Sequence, residues 1–238
     1  LRRFGVKVRL RDLTNIEEVR EAIDDDTCCV FLEILTNPQL EVADLKAISE
    51  VAHEKNVPLV VDSTVIPFTQ FSAKNLGVDI EVVSSSKYVS GGATSLGGLV
   101  IDYGTPYNGD FAKRLYGEML FNFGAYMTPQ VAYMQTIGLE TLDARYRVQS
   151  SNALELAQKL RTLPQIQYVN YVGLEDNPYH ELAQRQFGKT AGAMICIDLE
   201  SKEACFSFLN NLKLIHRATN LFDNRSLAIH PASTIFGA

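Results

Sequence analysis

The sequence lacks an excess of positive charge, a long apolar run and a cluster of metal-binding residues. Lys and Arg number 22 against 28 Asp and Glu, for a formal net charge of −6, so we expect no nucleic-acid-binding face. No run reaches the roughly 20 apolar residues of a membrane span. The cysteines lack metal-ligand spacing and lie mostly in apolar runs, which predicts reduced core residues of a cytoplasmic protein. They are Cys28, Cys29, Cys196 and Cys205.

The first half of the chain alternates between strand-like and helix-like patterns. With 238 residues and 46% hydrophobic content, the chain can bury one large core or two smaller ones. The β-α-β-α-β order predicts an α/β fold with a mostly parallel sheet and right-handed crossovers. The predicted strands are 6–10, 28–35, 59–61, 80–83 and 99–101, and the predicted helices are 16–23 and one that Asp44 caps and Pro58 ends.

The second half predicts a smaller α+β domain. A long helix starts near Thr128, where Pro129 suits the first turn and Gly138 interrupts the pattern only mildly. We therefore predict a cofactor-binding α/β domain over 1–127 and a second domain over 128–238, with the boundary inside a connecting helix at 124–147. Further predicted elements are helices 152–163 and 202–211 and strands 166–171 and 193–199.

Two predicted strands end in polar side chains. Asp62 follows strand 59–61, while Ser84, Ser86 and Lys87 follow strand 80–83. In an open α/β sheet the carboxyl ends of the strands form the ligand-binding edge. Pyridoxal phosphate needs an amine for covalent attachment, a carboxylate for its ring nitrogen and donors for its phosphate. These four residues match that requirement, so the pattern predicts a pyridoxal phosphate site.

Other interpretations of the same residues are less specific. Each residue alone is more often structural, as a solvated loop lysine or a helix-capping aspartate. A phosphate-binding loop of the Walker type needs Gly-Lys-Ser/Thr, whereas Lys87 follows serines and precedes Tyr88. A dinucleotide fingerprint places its glycines at the start of a helix after a first strand, whereas the glycines here follow the lysine.

Five segments form an ordered set that extends over nearly the whole chain. They are 31–38 (FLEILTNP), 61–64 (VDST), 84–88 (SSSKY), 138–142 (GLETL) with Arg145, and 226–234 (SLAIHPAST). In order and spacing they resemble the Cys/Met-metabolism pyridoxal phosphate enzymes. The glycine-rich stretch 92–98 and the segment 227–234 are most similar to the O-acetylhomoserine sulfhydrylase branch. The resemblance implies pyridoxal phosphate fold type I, a mostly parallel sheet domain followed by a smaller α+β domain.

The resemblance also implies roles for individual residues. Lys87 would attach the cofactor covalently and, once released, carry protons at the substrate carbons. Asp62 would keep the ring nitrogen protonated, and Ser84 and Ser86 would donate to the phosphate. Ser86 stands where the family commonly has Thr, which keeps the hydroxyl, and Ser63 stands where it commonly has Asn.

Three further site residues are expected, each with a structural alternative. Asn37 would approach the phenolic oxygen of the cofactor or the substrate carboxylate, or else it is only a turn residue before Pro38. Thr64 would support Asp62 or the cofactor ring, or is a loop hydroxyl. Ser226 would position the substrate carboxylate, or caps a helix. The residues interpreted as structural are Glu33, Arg145 and His230.

The function implied by the resemblance is a γ-replacement. O-Acetylhomoserine, or a related homoserine ester, would exchange its leaving group for sulfide or a thiol and give homocysteine or methionine. Cystathionine γ-synthase or methionine γ-lyase activity is the related alternative. An alternative from another class is a non-catalytic α/β interaction module or inactive fragment.

The chain is also expected to be incomplete and to self-associate. The resemblance implies an N-terminal arm, a glycine-containing phosphate loop, an aromatic residue over the ring and a late arginine, none of which this sequence contains. Members of the family build each active site from two subunits, and the apolar side chains Met134, Ile137 and Leu142 predict an exposed interface patch. We therefore expect a dimer or tetramer, with no nucleic acid and no membrane partner.

Overall fold

A four-stranded sheet organises the first half of the chain. The computed structural model describes residues 1–235. Strands β1, β2 and β3 run parallel in that order, and β4 pairs antiparallel with β3. This confirms an α/β fold with a mostly parallel sheet. The strands are β1 (Val30–Glu33), β2 (Leu59–Asp62), β3 (Ile80–Val83), β4 (Leu99–Asp102), β5 (Tyr168–Asn170), β6 (Cys196–Asp198), β7 (His216–Arg217) and β8 (Leu227–Ala228).

Helices connect these strands and form most of the second half. A π-helical segment, Leu115–Leu120, joins α3 to α4, and short 3₁₀ segments lie at Arg2–Phe4, Lys74–Leu76, Tyr88–Ser90 and Pro231–Ser233. The α-helices are α1 (Ile16–Ala22), α2 (Leu45–Glu54), α3 (Phe111–Arg114), α4 (Phe121–Phe123), α5 (Pro129–Glu140), α6 (Leu142–Leu160), α7 (His180–Phe187) and α8 (Lys202–Asn211).

Capping side chains place the helices where the sequence predicts them. The carboxylate of Asp44 accepts from the backbone N–H of Ala47 at 3.1 Å and starts α2. The hydroxyl of Thr128 accepts from Val131 at the start of α5, and Pro129 occupies the first turn. These predicted starts are confirmed because capping depends on local sequence alone.

One face of the sheet packs against α2, which in turn contacts α1. Leu59 and Val61 of β2 are fully buried there, together with Val30 and Leu32 of β1. The strand residues between them point to the opposite face, where Phe31 remains 54% exposed. Alternate burial along β1 and β2 therefore gives the sheet one closed face and one open face.

Several predicted elements are wrong or displaced. Residues 6–10 form no strand, because no described strand pairs with them and Leu10 is 84% exposed. The helix predicted at 152–163 begins ten residues earlier, at Leu142, and ends at Leu160. The helical segments between Phe111 and Phe123 and helix α7 were not predicted.

The smaller α+β part is built from short elements. Strands β5 and β6 pair antiparallel inside the predicted ranges 166–171 and 193–199, and α8 has its predicted bounds. The buried core is continuous from the first sheet into α6, α7 and the β5 region. The division at 127/128 stays a prediction.

Two expectations about side-chain burial need correction. Cys28 and Cys29 are exposed and not core residues, because they precede β1 in an irregular segment. Leu142 is buried at the start of α6 and cannot belong to an exposed patch.

Among the described helices, none combines the length and the apolar character needed to span a membrane.

Candidate active site

The carboxyl ends of β2 and β3 place Asp62, Thr64 and Ser84 together. The hydroxyl of Thr64 accepts from the backbone N–H of Ser84 at 2.8 Å, and the N–H of Thr64 donates to Asp62 Oδ1 at 2.8 Å. Thr64 therefore joins the two strand ends and orients the carboxylate. Among residues 1–235, the other carboxylate oxygen of Asp62 has no hydrogen-bond donor, so it is available to a ligand.

Lys87 lies one short turn beyond β3. Its Nζ donates to Oδ1 of Asn220 at 2.7 Å, and its backbone N–H donates to the carbonyl of Ser84 at 3.1 Å. The lysine is half-buried. Asn220 comes from the segment between β7 and β8, more than a hundred residues away, so the second half of the chain holds the lysine amine.

Sequence reasoning missed Asn220. It selected Ser226 from the same segment, but Ser226 is exposed, and its carbonyl accepts from the His216 N–H where β7 and β8 meet. Ser226 also precedes a strand and therefore caps no helix. The structure gives it no contact with Lys87. The only available sequence indication was the amide side chain in the Thr-Asn pair six residues upstream of Ser226.

Ser86 is held by the loop before β4. Its hydroxyl accepts from the N–H of Gly97 at 2.9 Å and donates to the carbonyl of Gly97 at 3.2 Å. Because a serine has a single O–H, donation to a phosphate requires the bond to the Gly97 carbonyl to break. The phosphate role of Ser86 stays a prediction, and the described contacts assign it to loop positioning.

Glu33 at the end of β1 and Asn37 in the loop that follows belong to the same sheet edge. Glu33 pairs in register with Asp62, and its carboxylate accepts from the backbone N–H of Asn37 at 2.9 Å. Burial raises the pKa of Glu33; the N–H of Asn37 opposes this shift, and the charge of Asp62 adds to it. Two carboxylates therefore lie near each other at this edge, which favours a cationic group beside them.

Ser63 turns away from this edge into the core. It is fully buried and donates to the carboxylate of Glu81, which also accepts from the Tyr103 hydroxyl at 2.5 Å. Burial, the hydrogen bond to Glu81 and the charge of Glu81 raise the pKa of Tyr103. The hydroxyl of Ser63 thus fixes the backbone next to Asp62 from the closed face. Sequence analysis did not identify Glu81, because a lone acid in an apolar strand carries no motif.

The residues interpreted as structural make framework contacts. His230 bonds through Nδ1 to the hydroxyl of Ser233 at 2.8 Å, inside its own turn. Arg145 donates to the backbone carbonyl of Tyr88 at 2.8 Å, directly beside the lysine. In the part of the chain that the structure describes, no three His, Cys, Asp or Glu side chains form a metal-binding group.

A cleft of about 630 Å³ opens on the site side of the sheet. Asp62 and Ser84 line it, the helical segment after β4 contributes Leu115 and Leu120, and the loop before α5 contributes Tyr126. Lys87 is not among its lining residues. The donor set fits pyridoxal phosphate, because a carboxylate and a serine hydroxyl line the cleft at the strand ends and a lysine follows one turn beyond β3.

Comparisons with known proteins match the chain to one family of enzymes. The family described as Cys/Met metabolism PLP-dependent enzyme, in which PLP is pyridoxal phosphate, matches residues 1–238. An L-methionine γ-lyase of Fusobacterium nucleatum subsp. polymorphum is 39% identical over 237 residues, which cover 98% of this chain and 58% of that protein. The chain thus spans little more than half the length of such relatives.

Solved structures show the same fold and cofactor chemistry. An O-acetylhomoserine sulfhydrylase from Wolinella succinogenes superposes with a TM-score of 0.85 at 43% identity, covering 95% of this chain and 70% of that one. A Campylobacter jejuni structure that contains pyridoxyl-lysine monophosphate gives 0.94 at 32% identity, covering 98% and 62%. The predicted fold class and the predicted cofactor are confirmed. The chain belongs to the Cys/Met-metabolism pyridoxal phosphate-dependent enzymes.

Proposed function

We propose that the protein catalyses γ-replacement on O-acetylhomoserine or a related homoserine ester, with sulfide or a thiol as the incoming group. The product would be homocysteine or methionine. The observation that carries the proposal is that Asp62 and Ser84 line one cleft at the ends of β2 and β3, while Lys87 follows Ser84 by one turn with its amine on Asn220. The 43% identity to an O-acetylhomoserine sulfhydrylase supports this substrate class.

Each residue of the edge has a defined task in this proposal. The Asp62 carboxylate would hold the ring N–H of pyridoxal phosphate, and the Ser84 hydroxyl would donate to its phosphate. The bound cofactor would supply an electron-withdrawing ring next to the substrate Cα. Lys87 removes the proton from the substrate Cα and later moves a proton at Cβ, which allows the γ substituent to leave. Asn220 keeps the amine in place between these transfers.

Elimination is the second candidate reaction. The 39% identity to an L-methionine γ-lyase favours it, and that reaction requires the same proton transfers by Lys87. The two outcomes differ in whether a sulfur nucleophile or water completes the reaction, and small pocket differences decide this. Cystathionine synthesis uses a larger thiol in the same step.

The experiment compares products in the whole protein loaded with pyridoxal phosphate. O-Acetylhomoserine with sulfide should give homocysteine and acetate, whereas methionine alone should give little 2-oxobutyrate and ammonia. Faster elimination from methionine would identify a lyase. Product formation by Lys87→Ala at the rate of the matched surface variant Lys74→Ala would show that Lys87 is not catalytic.

A non-catalytic module is separated from an enzyme by cofactor attachment. Borohydride treatment should leave a stable pyridoxyl adduct on the peptide that contains Lys87. Folded whole protein that forms no adduct, and whose visible absorbance does not change with added pyridoxal phosphate, would overturn the enzyme proposal.

Self-association in the cytoplasm is part of the proposal. Met134 and Ile137 are 40% and 47% exposed on α5, and several large apolar side chains between 116 and 126 are exposed as well. Apolar area of this kind is typical of an interface. Light scattering should give a dimer or a tetramer, and an active monomer would contradict a site shared between subunits.

A further inference from the structure

Arg145 of α6 is hydrogen-bonded to the turn that carries Lys87. Its Nη2 donates to the carbonyl of Tyr88 at 2.8 Å and to the carbonyl of Gly138 at 2.7 Å. Its Nε donates to the hydroxyl of Thr141 at 2.9 Å. One guanidinium thus links the end of α5, the start of α6 and the residue next to the lysine.

The backbone of the same turn packs directly on α5. A side chain at Gly138 would place its Cβ 2.1 Å from the carbonyl oxygen of Val89 and 3.0 Å from the nitrogen of Gly91. Only glycine permits this approach, so Gly138 is a packing requirement and not merely a tolerated interruption. Gly91 has φ +77°, which ends the turn in the left-handed region. The turn therefore packs on α5 in one close arrangement.

Aromatic rings hold the side chain that follows Lys87. The buried ring of Tyr88 stacks on Phe222 at 4.0 Å and meets Tyr146 edge-on at 5.3 Å. Tyr146 follows Arg145 on α6, and Phe222 lies two residues after Asn220. The elements that hold Tyr88 are therefore the ones that place the guanidinium and the partner of the lysine amine.

The burial and the hydrogen-bond acceptors of Arg145 favour an arginine over a lysine at this position. The site is partly buried, and burial lowers the pKa of Arg145. Its acceptors are carbonyl and hydroxyl oxygens, not carboxylates, so partial desolvation of the charge is not offset by an ion pair at these contacts. Nη2 donates to the two carbonyls while Nε donates to the Thr141 hydroxyl, so two nitrogens of the rigid guanidinium serve three acceptors, whereas a lysine has one ammonium nitrogen.

We propose that Arg145 is a positioning residue for Lys87. Arg145 holds the Tyr88 carbonyl, so that the lysine amine projects toward Asn220 and the cofactor. This inference rests on the proposed function, because it takes Lys87 as the attachment residue. Arg145 acts only through the backbone, and it touches neither the amine nor the strand-edge carboxylates in the contacts described.

The test uses Arg145→Ala and Arg145→Lys in the whole protein, with Arg147→Ala as the matched control. Arg147 lies on the same helix, is exposed and, within residues 1–235, donates only to the carbonyl of Asp143 in the preceding turn. Two quantities are measured: hydrogen exchange of the amides at 86–91, and the rate of pyridoxal phosphate attachment to Lys87 after borohydride fixation. Thermal unfolding is recorded in parallel.

We expect Arg145→Ala to increase exchange at 86–91 by at least about tenfold and to slow attachment by a similar factor, while Arg147→Ala changes neither. Arg145→Lys should fall between the two. Added guanidinium ion at millimolar concentration should partly restore attachment in Arg145→Ala, and equal sodium chloride should not. Lowered unfolding temperature with exchange and attachment equal to those of Arg147→Ala would overturn the proposal.

Failure of the underlying function has a different outcome. If wild-type protein forms no adduct at Lys87, the assignment of Lys87 is wrong. An unchanged exchange rate at 86–91 in Arg145→Lys and Arg145→Ala contradicts the Arg145 inference separately. If Arg145→Ala does not fold, Arg145→Lys provides both readings.

Discussion

The two faces of the four-stranded sheet have opposite tasks. The closed face packs Leu59 and Val61 on the side of α2 with no solvent contact. The other face leaves Phe31 and Val100 about half exposed and leads to the edge where Asp62 and Ser84 line the cleft. Because side chains alternate along a strand, neighbouring residues of one strand serve stability and chemistry separately.

This separation predicts that substitutions on the two faces affect different properties. A change on the closed face should lower the free energy of unfolding and leave the reaction geometry alone. A change at the site edge should lower the rate with little effect on stability, because those groups are partly solvated. Substitutions of both kinds test whether stability and rate depend on different faces of the sheet.

Lys87→Ala should have the largest effect, and that effect should be on turnover. We expect a loss of about 10³-fold or more in kcat, since no neighbouring side chain replaces the amine. Urea unfolding should change little, because the lysine makes one side-chain hydrogen bond in the described residues. Steady-state kinetics and unfolding of the same preparation check both. A collapse of stability with kcat largely retained would reverse the proposed division.

Leu59→Ala should have the largest effect on stability. Removing a fully buried leucine costs about 2–5 kcal/mol through lost transfer energy and the cavity that remains. Phe31→Ala on the open face is the control, and we expect it within about 0.5 kcal/mol of wild type in this chain. Urea titration measures both. Equal losses in the two variants would mean that the open face is covered in solution.

Asp62→Asn should weaken catalysis while the cofactor still binds. The amide preserves shape and the hydrogen bond from Thr64, but it removes the charge that holds the ring nitrogen protonated. Loss of a preorganised group at a reacting centre costs about 10²-fold in rate. Cofactor titration and kcat measured together test this. An unchanged kcat would leave Asp62 only as the residue that orders Thr64.

Glu33→Gln should have the smallest effect, on the pH dependence of stability. Because burial raises the pKa of Glu33 in the folded state above that of an unfolded glutamate, the folded state binds more protons than the unfolded state. Its contribution to stability is therefore fully present below the pKa of an unfolded glutamate and is lost as pH rises through the folded pKa. Glu33→Gln should flatten that fall, as measured by unfolding between pH 4 and 7. An unchanged slope would show that Glu33 does not couple to folding.

Local patterns predicted much of the sheet region. The bounds of β3 and the caps at Asp44 and Thr128 follow from side chains that act within a few residues. Asp62 and Lys87 were also predicted together, because both follow apolar strands and such strand ends meet at one sheet edge. These features need no knowledge of distant contacts.

Long-range contacts decided what the sequence analysis missed. Asn220 carries no motif and becomes visible only when the β7–β8 segment lies against Lys87. Gly138 and Arg145 resemble ordinary helix residues until α5 and α6 pack on the turn that follows the lysine. Residues 6–10 have a strand-like pattern but no described partner, and a strand needs one to satisfy its backbone.

Local order and spacing were enough to identify the family and to place Asp62 and Lys87 at or just beyond the ends of two consecutive apolar strands. The contacts of the lysine amine, the open face of the sheet and the partners of Ser63 and Ser86 follow from tertiary packing. The physical reason is that hydrogen bonds and burial between residues far apart in the chain depend on packing, which periodicity does not encode.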